Sequence, residues 1–257
     1  MGNMNVLFLG TGASDWPSSL RGTAEYRRFS SVLIDGRLLI DPGPHIYDFA
    51  EDFDCKDLFD DVNAILITHS HDDHLDIKNL GRLCADKKMM ICSEEHVAEL
   101  PCIPDNTAIQ IVHPYEPIQL YGYTVTAVPA NHGTELLGEQ TLHYIIEKDG
   151  KRMFYGCDGA WIRRDTWYHI KTLSFDLAVI DGTLGHEKGD YRIFEHNDMR
   201  MVAIISETLR STGVIKDTGR IMISHLAYGC HGTQSETEKC LEPYGIDVAY
   251  DGRIVHI

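Results

Sequence analysis

The chain has 257 residues, 43% of them hydrophobic, which is enough for a substantial core in one large domain or two small ones. Its formal net charge is −16 and no run of lysine and arginine is visible, which argues against a surface for nucleic-acid polymers, since these need a compensating basic patch. No segment is apolar over the length needed to span a membrane, and the first ten residues lack the basic start of a secretory signal, so no membrane partner is expected.

Seven cysteines (Cys55, Cys84, Cys92, Cys102, Cys157, Cys230 and Cys240) are scattered and never form a C-x-x-C pair. That usage suits reduced thiols and a cytoplasmic location better than a disulfide framework or a zinc ribbon. Cys157 and Cys230 read as small buried hydrophobes. No low-complexity segment or linker-like composition break divides the chain, so residues 1–257 read as one domain.

Taken in order, residues 5–9 read as a first strand running into Gly10-Thr11-Gly12, a turn that permits close backbone approach. The stretch 13–29 is polar and irregular. It is either a surface connection or a wall of an active-site cleft; in the second case Arg27 and Arg28 are the nearest basic groups for an anionic substrate. Strand-like runs at 31–35 and 37–41 flank Gly36 as a hairpin, which Asp41-Pro42-Gly43 closes.

The densest chemistry follows. Ala64-Ile65-Leu66-Ile67 reads as a short buried strand, and at its C-terminal end, where ligands sit in open α/β sheets, comes Thr68-His69-Ser70-His71-Asp72-Asp73-His74-Leu75. His69 and His71 are two apart, so in an extended segment they point the same way and can share one metal. Asp73 and His74 come where the chain turns into a helix, and would point toward a second metal. Imidazole suits zinc, and carboxylate adds charge to a dinuclear site. One histidine in a loop would be a solvated turn residue. His-x-His-x-Asp-His directly after an apolar strand reads as a metal site.

Further along, a helix over 76–86 places Leu80, Leu83 and Cys84 on one face. A strand (89–92), a short helix (94–100) and connections broken by Pro101, Pro104, Pro114 and Pro117 come next. A strand over 123–130 ends on Asn131-His132-Gly133. The hairpin of 142–147 and 151–155 around Asp149-Gly150 delivers Gly156-Cys157-Asp158-Gly159. A helix over 165–172 precedes a buried strand, 175–183, that carries Asp181 near its end. Glu195-His196-Asn197-Asp198 opens a helix over 199–211, with Asn197 or Asp198 as its cap. A strand over 219–226 runs into His225. A helix over 233–241 and a closing hairpin, 248–250 with 254–256 around Asp251-Gly252, end the chain.

The run His69-Ser70-His71-Asp72-Asp73-His74 resembles the signature of the metallo-β-lactamase fold superfamily of dinuclear metallohydrolases. The resemblance covers nearly the whole chain and implies an α/β fold, a four-layer αββα sandwich of two similar halves. It implies His69, His71 and His132 on one metal, Asp73, His74 and His225 on the other, and Asp158 between them. Asp158 matches the family's Gly-Asp position with one inserted residue, Cys157. Asp41 would support the metal loop from behind, as a partner for a ligating histidine. Asp181 and Thr183 match a strand–acid–small–Thr pattern. His196 matches a histidine that contacts phosphate or protonates the leaving group in phosphodiesterase members, and Asp181 would hold its tautomer. His231 is read only as a neighbour.

The implied cofactors are two divalent ions, zinc first and manganese as the alternative, caging a bridging hydroxide that attacks the substrate. His196, Asp181 and Asp73 are the expected catalytic residues. The opening of the chain resembles the phosphodiesterase branch, which includes ribonuclease Z and the accessory phosphodiesterase of the carbon–phosphorus lyase pathway. The cysteine cluster of the latter is absent, and no basic surface or Gly/Pro-rich arm for transfer RNA is seen. The expected substrate is therefore a small phosphodiester, such as a cyclic nucleotide or a cyclic sugar phosphate. A lactone, ester or β-lactam hydrolase, or a non-catalytic metal-binding sensor or partner, stands as the alternative. The family also makes a homodimer an expectation.

Overall fold

In the computed structural model, which describes residues 2–85, 89–100, 103–104 and 107–257, two seven-stranded sheets stack face to face. The first comprises β1 (Asn5–Gly10), β2 (Ser31–Ile34), β3 (Leu38–Ile40), β4 (Ala64–Leu66), β5 (Met90–Ser93) and β6 (Ala108–Ile111) in that order, with β14 (Ile254–His256) on the far edge of β1. The second comprises β7 (Pro117–Leu120), β8 (Tyr123–Pro129), β9 (Leu142–Lys148), β10 (Lys151–Gly156), β11 (Phe175–Asp181), β12 (Ile215–Ser224) and β13 (Ile246–Val248), again in chain order. Each sheet begins as an antiparallel meander and continues as parallel strands, from β3 onward in one and from β10 onward in the other.

The alternation of side chains along these strands creates three apolar layers. Between the sheets, Val6, Phe8, Val32, Ile34 and Ile40 meet Val125, Tyr144, Ile146, Met153, Tyr155, Val179 and Met222. The outer face of the first sheet, with Leu33, Leu39 and Ile65, is covered by α1 (Ile46–Asp52), α2 (Ile77–Cys84) and α3 (Glu95–Ala98). The outer face of the second, with Ile145, Ala178, Ile180 and Ile223, is covered by α4 (Arg164–Ile170), α5 (Met199–Ser211) and α6 (Gln234–Leu241). These are the four layers of an αββα sandwich. Strands with both faces buried read as continuous apolar runs, which is why β4 and β11 stand out in the sequence.

Several local readings change. The proline-broken connections contain strands β6 and β7, and α1 follows Pro42-Gly43-Pro44 where no helix was expected. The closing hairpin does not form: β13 pairs in parallel with β12, while β14 pairs with β1 in the other sheet, so the Asp251-Gly252 turn carries the chain from one sheet to the other. Helix α2 is capped by Asp76, whose carboxylate accepts from the Asn79 backbone N–H at 2.7 Å, and buries Leu80, Leu83 and Cys84; its expected end at Asp86, like Pro101 and Cys102, lies outside the described residues. Cys157 is buried and Cys230 half-buried. Among the described residues no helix is long and apolar enough to cross a membrane.

Candidate metal centre

The segments that follow β4, β8, β10, β11 and β12 bring polar side chains together beyond the carboxyl ends of the strands. The first group is His69, His71, His132 and Asp158. His71 Nδ1 lies 3.0 Å from His69 Nε2 and 3.2 Å from His132 Nε2, and Asp158 Oδ2 lies 3.2 Å from His69 Nε2 and 3.6 Å from His132 Nε2. Four donors about a tetrahedral zinc at ~2.05 Å are spaced by about 3.3 Å, so the separations match a coordination shell. His69 and His71 thus meet as expected, but through unlike nitrogens. The chain turns at His71, whose carbonyl accepts from the backbone N–H groups of His74 and Leu75, so its ring offers Nδ1 where His69 offers Nε2.

The second group is Asp73, His74 and His225. His74 Nε2 and His225 Nε2 are 3.3 Å apart, and Asp73 Oδ2 is 3.5 Å from the first and 3.6 Å from the second. Asp158 Oδ2 also reaches His74 Nε2 at 3.1 Å and His225 Nε2 at 3.5 Å. One carboxylate oxygen therefore faces four imidazole nitrogens drawn from both groups, the position of a bridging ligand. Its partner atom, Asp158 Oδ1, is buried and accepts no hydrogen bond. A buried carboxylate whose Oδ2 faces ring nitrogens that offer lone pairs is unfavourable unless a cation lies between them, so the donor set fits divalent metal ions.

Hydrogen bonds behind the donors fix their tautomers. Asp41 accepts from the Thr68 backbone N–H and hydroxyl, each at 2.8 Å, and its Oδ2 lies 2.8 Å from His74 Nδ1. With its single proton turned to Asp41, the Thr68 hydroxyl can only accept from His69 Nδ1–H at 2.9 Å. His69 therefore directs an unprotonated Nε2 at the centre, and His74 turns its Nδ1–H to Asp41. The Thr183 hydroxyl stands in the same way between Asp181 Oδ2 at 2.7 Å and His225 Nδ1 at 2.8 Å. Gly43 lets this packing close: a Cβ there would lie 2.5 Å from the Asp73 carbonyl oxygen. Asp41, Asp158 and His225 all take left-handed φ angles, at 59°, 63° and 61°. Such conformations cost roughly 1 kcal/mol or more each and cluster where function over-determines the backbone.

The electrostatics follow from burial and neighbours. Burial pushes the His69 imidazole down to about 3, and lowers His132 as well, keeping both neutral as ligands must be. Burial opposes protonation of His74 too, but Asp73, Asp158 and Asp41 outweigh it and raise that group. Burial works against the charged form of Asp158, yet the surrounding imidazoles, His225 first, hold it well below the usual carboxylate range.

His196 and Asp181 lie at the rim of this centre. His196 Nδ1 is 3.1 Å from both Asp181 Oδ2 and Asp158 Oδ1, and the hydrogen bond goes to Asp181. Burial disfavours the imidazolium, but Asp181 overrides it and lifts His196 to about 9. Asp158, Asp181, His196 and His225 are also close enough to form a third grouping of potential ligands. Asp181, however, accepts from the Thr183 N–H and hydroxyl, the Asn197 N–H and His196 Nδ1, which uses its four acceptor positions. It is therefore a support. Asp198 caps α5, accepting from the backbone N–H groups of Arg200 and Met201, and Asn197 ties the site together by donating to the Gly159 and Asp181 carbonyls and accepting from Trp161 N–H.

The family model described as a beta-lactamase superfamily domain matches residues 36–215. The chain belongs to the beta-lactamase superfamily. No curated protein matches it in sequence. Among solved structures, zinc-bound PqqB from Methylobacterium extorquens superposes with a TM-score of 0.78 at 19% identity, covering 98% of this chain and 100% of that one. The metallo-beta-lactamase fold protein YhfI from Bacillus subtilis gives 0.75 at 14% identity, covering all of both chains. A diphosphatase from the PhnP family gives 0.73 at 21% identity, covering 99% of this chain and 98% of that one. These likenesses show the fold; the superfamily match together with the His/Asp clusters supports a metal-dependent hydrolase.

Two other expectations are resolved by the superfamily scaffold. The start of the 13–29 stretch lies against the residues after His225: Trp16 Nε1 donates to the Leu226 carbonyl at 2.6 Å, and Asp15 accepts from Tyr228 N–H at 2.8 Å. Its end does not offer free cations to an anion. Arg27 is buried and donates to Thr11 Oγ1, the Ala249 carbonyl and Gln234, while Arg28 pairs with Asp52 and Asp251. His231 stays outside the donor groups, with Nε2 3.2 Å from the Thr183 carbonyl. Sequence reasoning did not single out Glu139, took Asn197 only as a possible helix cap, and gave Thr68 no role of its own. Thr68 carried a signal in its place between the strand and His69; Asn197 and Glu139 act through long-range contacts that leave no local pattern.

Proposed function

We propose that this chain is a phosphodiesterase that uses two divalent ions, zinc first and manganese as the alternative, to hydrolyse a small phosphodiester, cyclic ones included. The observation that carries the reading is the single oxygen of Asp158 facing His69, His74, His132 and His225, with His196 Nδ1 3.1 Å from the other oxygen of the same carboxylate. His69, His71, His132 and Asp158 would hold one ion, and Asp73, His74, His225 and Asp158 the other. When bound, the ions would supply Lewis acidity toward phosphoryl oxygens and lower the pKa of an attacking water.

The remaining steps belong to the chain's own side chains. Asp181 takes the Nδ1–H of His196, which leaves Nε2 to carry the proton that a departing alkoxide needs. A histidine raised to about 9 holds that proton at neutral pH. Arg192, whose carbonyl accepts from the His196 backbone N–H, pairs through its guanidinium with Asp190. Phosphate chemistry in a fold neighbour, the PhnP-family diphosphatase, agrees with this reading. Scattered cysteines agree with a reducing cytoplasm.

The test is to strip the protein of metal, restore zinc or manganese, and assay bis-p-nitrophenyl phosphate beside a panel of lactones and β-lactams. Metal-dependent turnover of the diester, with the lactones and β-lactams left intact, is the expected result. Turnover of the lactones alone would replace this reading with the ester-hydrolase alternative.

A further inference from the structure

The segment between β8 and β9 begins at His132 and crosses back over the metal loop before it reaches Leu142. Its course is fixed at several points. Leu136 packs on the apolar layer outside the first sheet. Gly138 sits at φ 91°, and a Cβ there would come within 2.7 Å of the His96 ring. Thr141 Oγ1 donates to the His132 carbonyl at 2.8 Å. Between these points the Glu139 carboxylate turns toward the metal loop. It accepts from the Ser70 backbone N–H at 2.8 Å, from the Ser70 hydroxyl at 2.6 Å, and from the Thr134 hydroxyl at 2.5 Å.

Ser70 is the residue between His69 and His71, so its peptide sets the relative placement of those rings. Thr134 lies two residues past His132. One carboxylate therefore clasps the two separate segments that supply all three histidines of the first group. The same segment provides Glu135, whose Oε2 is 3.3 Å from His71 Nε2, on the side of the ring away from the centre. The second group, Asp73, His74 and His225, has no hydrogen bond to Glu139 and is braced instead by Asp41 and Thr183.

We infer that Glu139 is a positioning residue for the first metal site: by binding Ser70 and Thr134 together it holds His69, His71 and His132 at coordination distance without touching the ion. The inference rests on the metal-binding part of the proposed function and not on the phosphodiester. Charge-assisted hydrogen bonds to a carboxylate are the stronger class, and supports of this kind alter metal affinity about 10- to 100-fold.

The test compares wild type, Glu139→Ala, Glu139→Gln and Ser70→Ala in zinc titrations against a chromophoric chelator, with the melting temperature of each metal-free protein recorded in parallel. Two binding steps are expected in wild type. In Glu139→Ala one step should weaken by roughly tenfold or more, the other should stay, and the metal-free protein should melt close to wild type. Glu139→Gln keeps one acceptor oxygen and should recover part of the loss. Ser70→Ala removes only the hydroxyl, and should weaken the same step to a smaller extent. Cobalt substituted into Glu139→Ala should show an altered visible spectrum at one site only. Unchanged titrations in Glu139→Ala would overturn the inference, as would equal weakening of both steps with a lowered melting temperature, which marks a merely structural role. A wild type that binds no metal would overturn the metal reading itself, and this inference with it.

Discussion

Asp181 stands to Thr183 as Asp41 stands to Thr68. Each carboxylate accepts from a threonine hydroxyl, at 2.7 and 2.8 Å, and each hydroxyl then takes the Nδ1 of a histidine, His225 in one half and His69 in the other. The two aspartates come from the two sheets, Asp181 from the end of β11 and Asp41 from just past β3. The repeated device makes each half responsible for aiming its own imidazoles. Asp41→Asn should therefore turn or reprotonate His74 and His69, while Asp181→Asn should disturb His225 and His196. We expect each change to lower zinc affinity by about 10- to 100-fold, read by chelator competition. Asp181→Asn should also shift the acidic group seen in the pH–rate profile, because Asp181, unlike Asp41, contacts His196.

Asp158 Oδ2 faces histidines of both groups, so on the proposed two-ion reading its loss should not be confined to one ion. Asp158→Asn keeps the size of the side chain but removes the charge and replaces one oxygen with a donor that cannot ligate. Metal content per chain, measured after dialysis against metal-free buffer, should fall for both sites together. A variant that still retains two ions would show that Asp158 does not bridge.

The part of this centre that was legible in the sequence is the part carried by strand ends. Buried strands announce themselves as apolar runs, and a polar cluster right after such a run has little to do in a core, which is why His69 and His71 could be read as metal ligands from the residues themselves, whereas His132, Asp158, Asp181 and His225 were named through the superfamily resemblance. Edge strands were hidden: β6 and β7 are largely solvent-facing and punctuated by Pro104, Pro114 and Pro117, so no apolar run marks them. The Asp251-Gly252 turn carried a hairpin signal, yet Asp251 serves a distant need, accepting from Thr11 Oγ1 and Arg28, while its flanking strands join different sheets. Glu139 shows the same limit, since nothing local says that its partner is Ser70.

Protonated His196 predicts a dependence on the leaving group. Its proton matters when the departing alkoxide is a strong base and little when it is p-nitrophenolate. His196→Ala should lower kcat by about 10²- to 10⁴-fold on diesters with alkyl leaving groups, and by much less on a p-nitrophenyl ester. The check is the slope of log kcat against leaving-group pKa, which should be steeper in the variant. Parallel lines would remove His196 as the acid.

Away from the ligands, His231 predicts a pH dependence of stability. Its ring is largely buried between the Thr183 carbonyl and neighbouring backbone, and burial, with Arg27 nearby, pushes it down to about 4 from the usual 6.5. The folded state therefore holds this ring neutral where the unfolded chain would protonate it. Below pH 6.5 unfolding takes up a proton, so the contribution of His231 is full above that value, shrinks as pH falls toward 4, and stays constant below it. The loss across the window is on the order of 3 kcal/mol. Denaturant titrations of metal-free protein at pH 7 and pH 4.5 should show a smaller decline in His231→Gln than in wild type, because glutamine keeps a donor for the Thr183 carbonyl and does not titrate. Equal declines would place the acid sensitivity elsewhere.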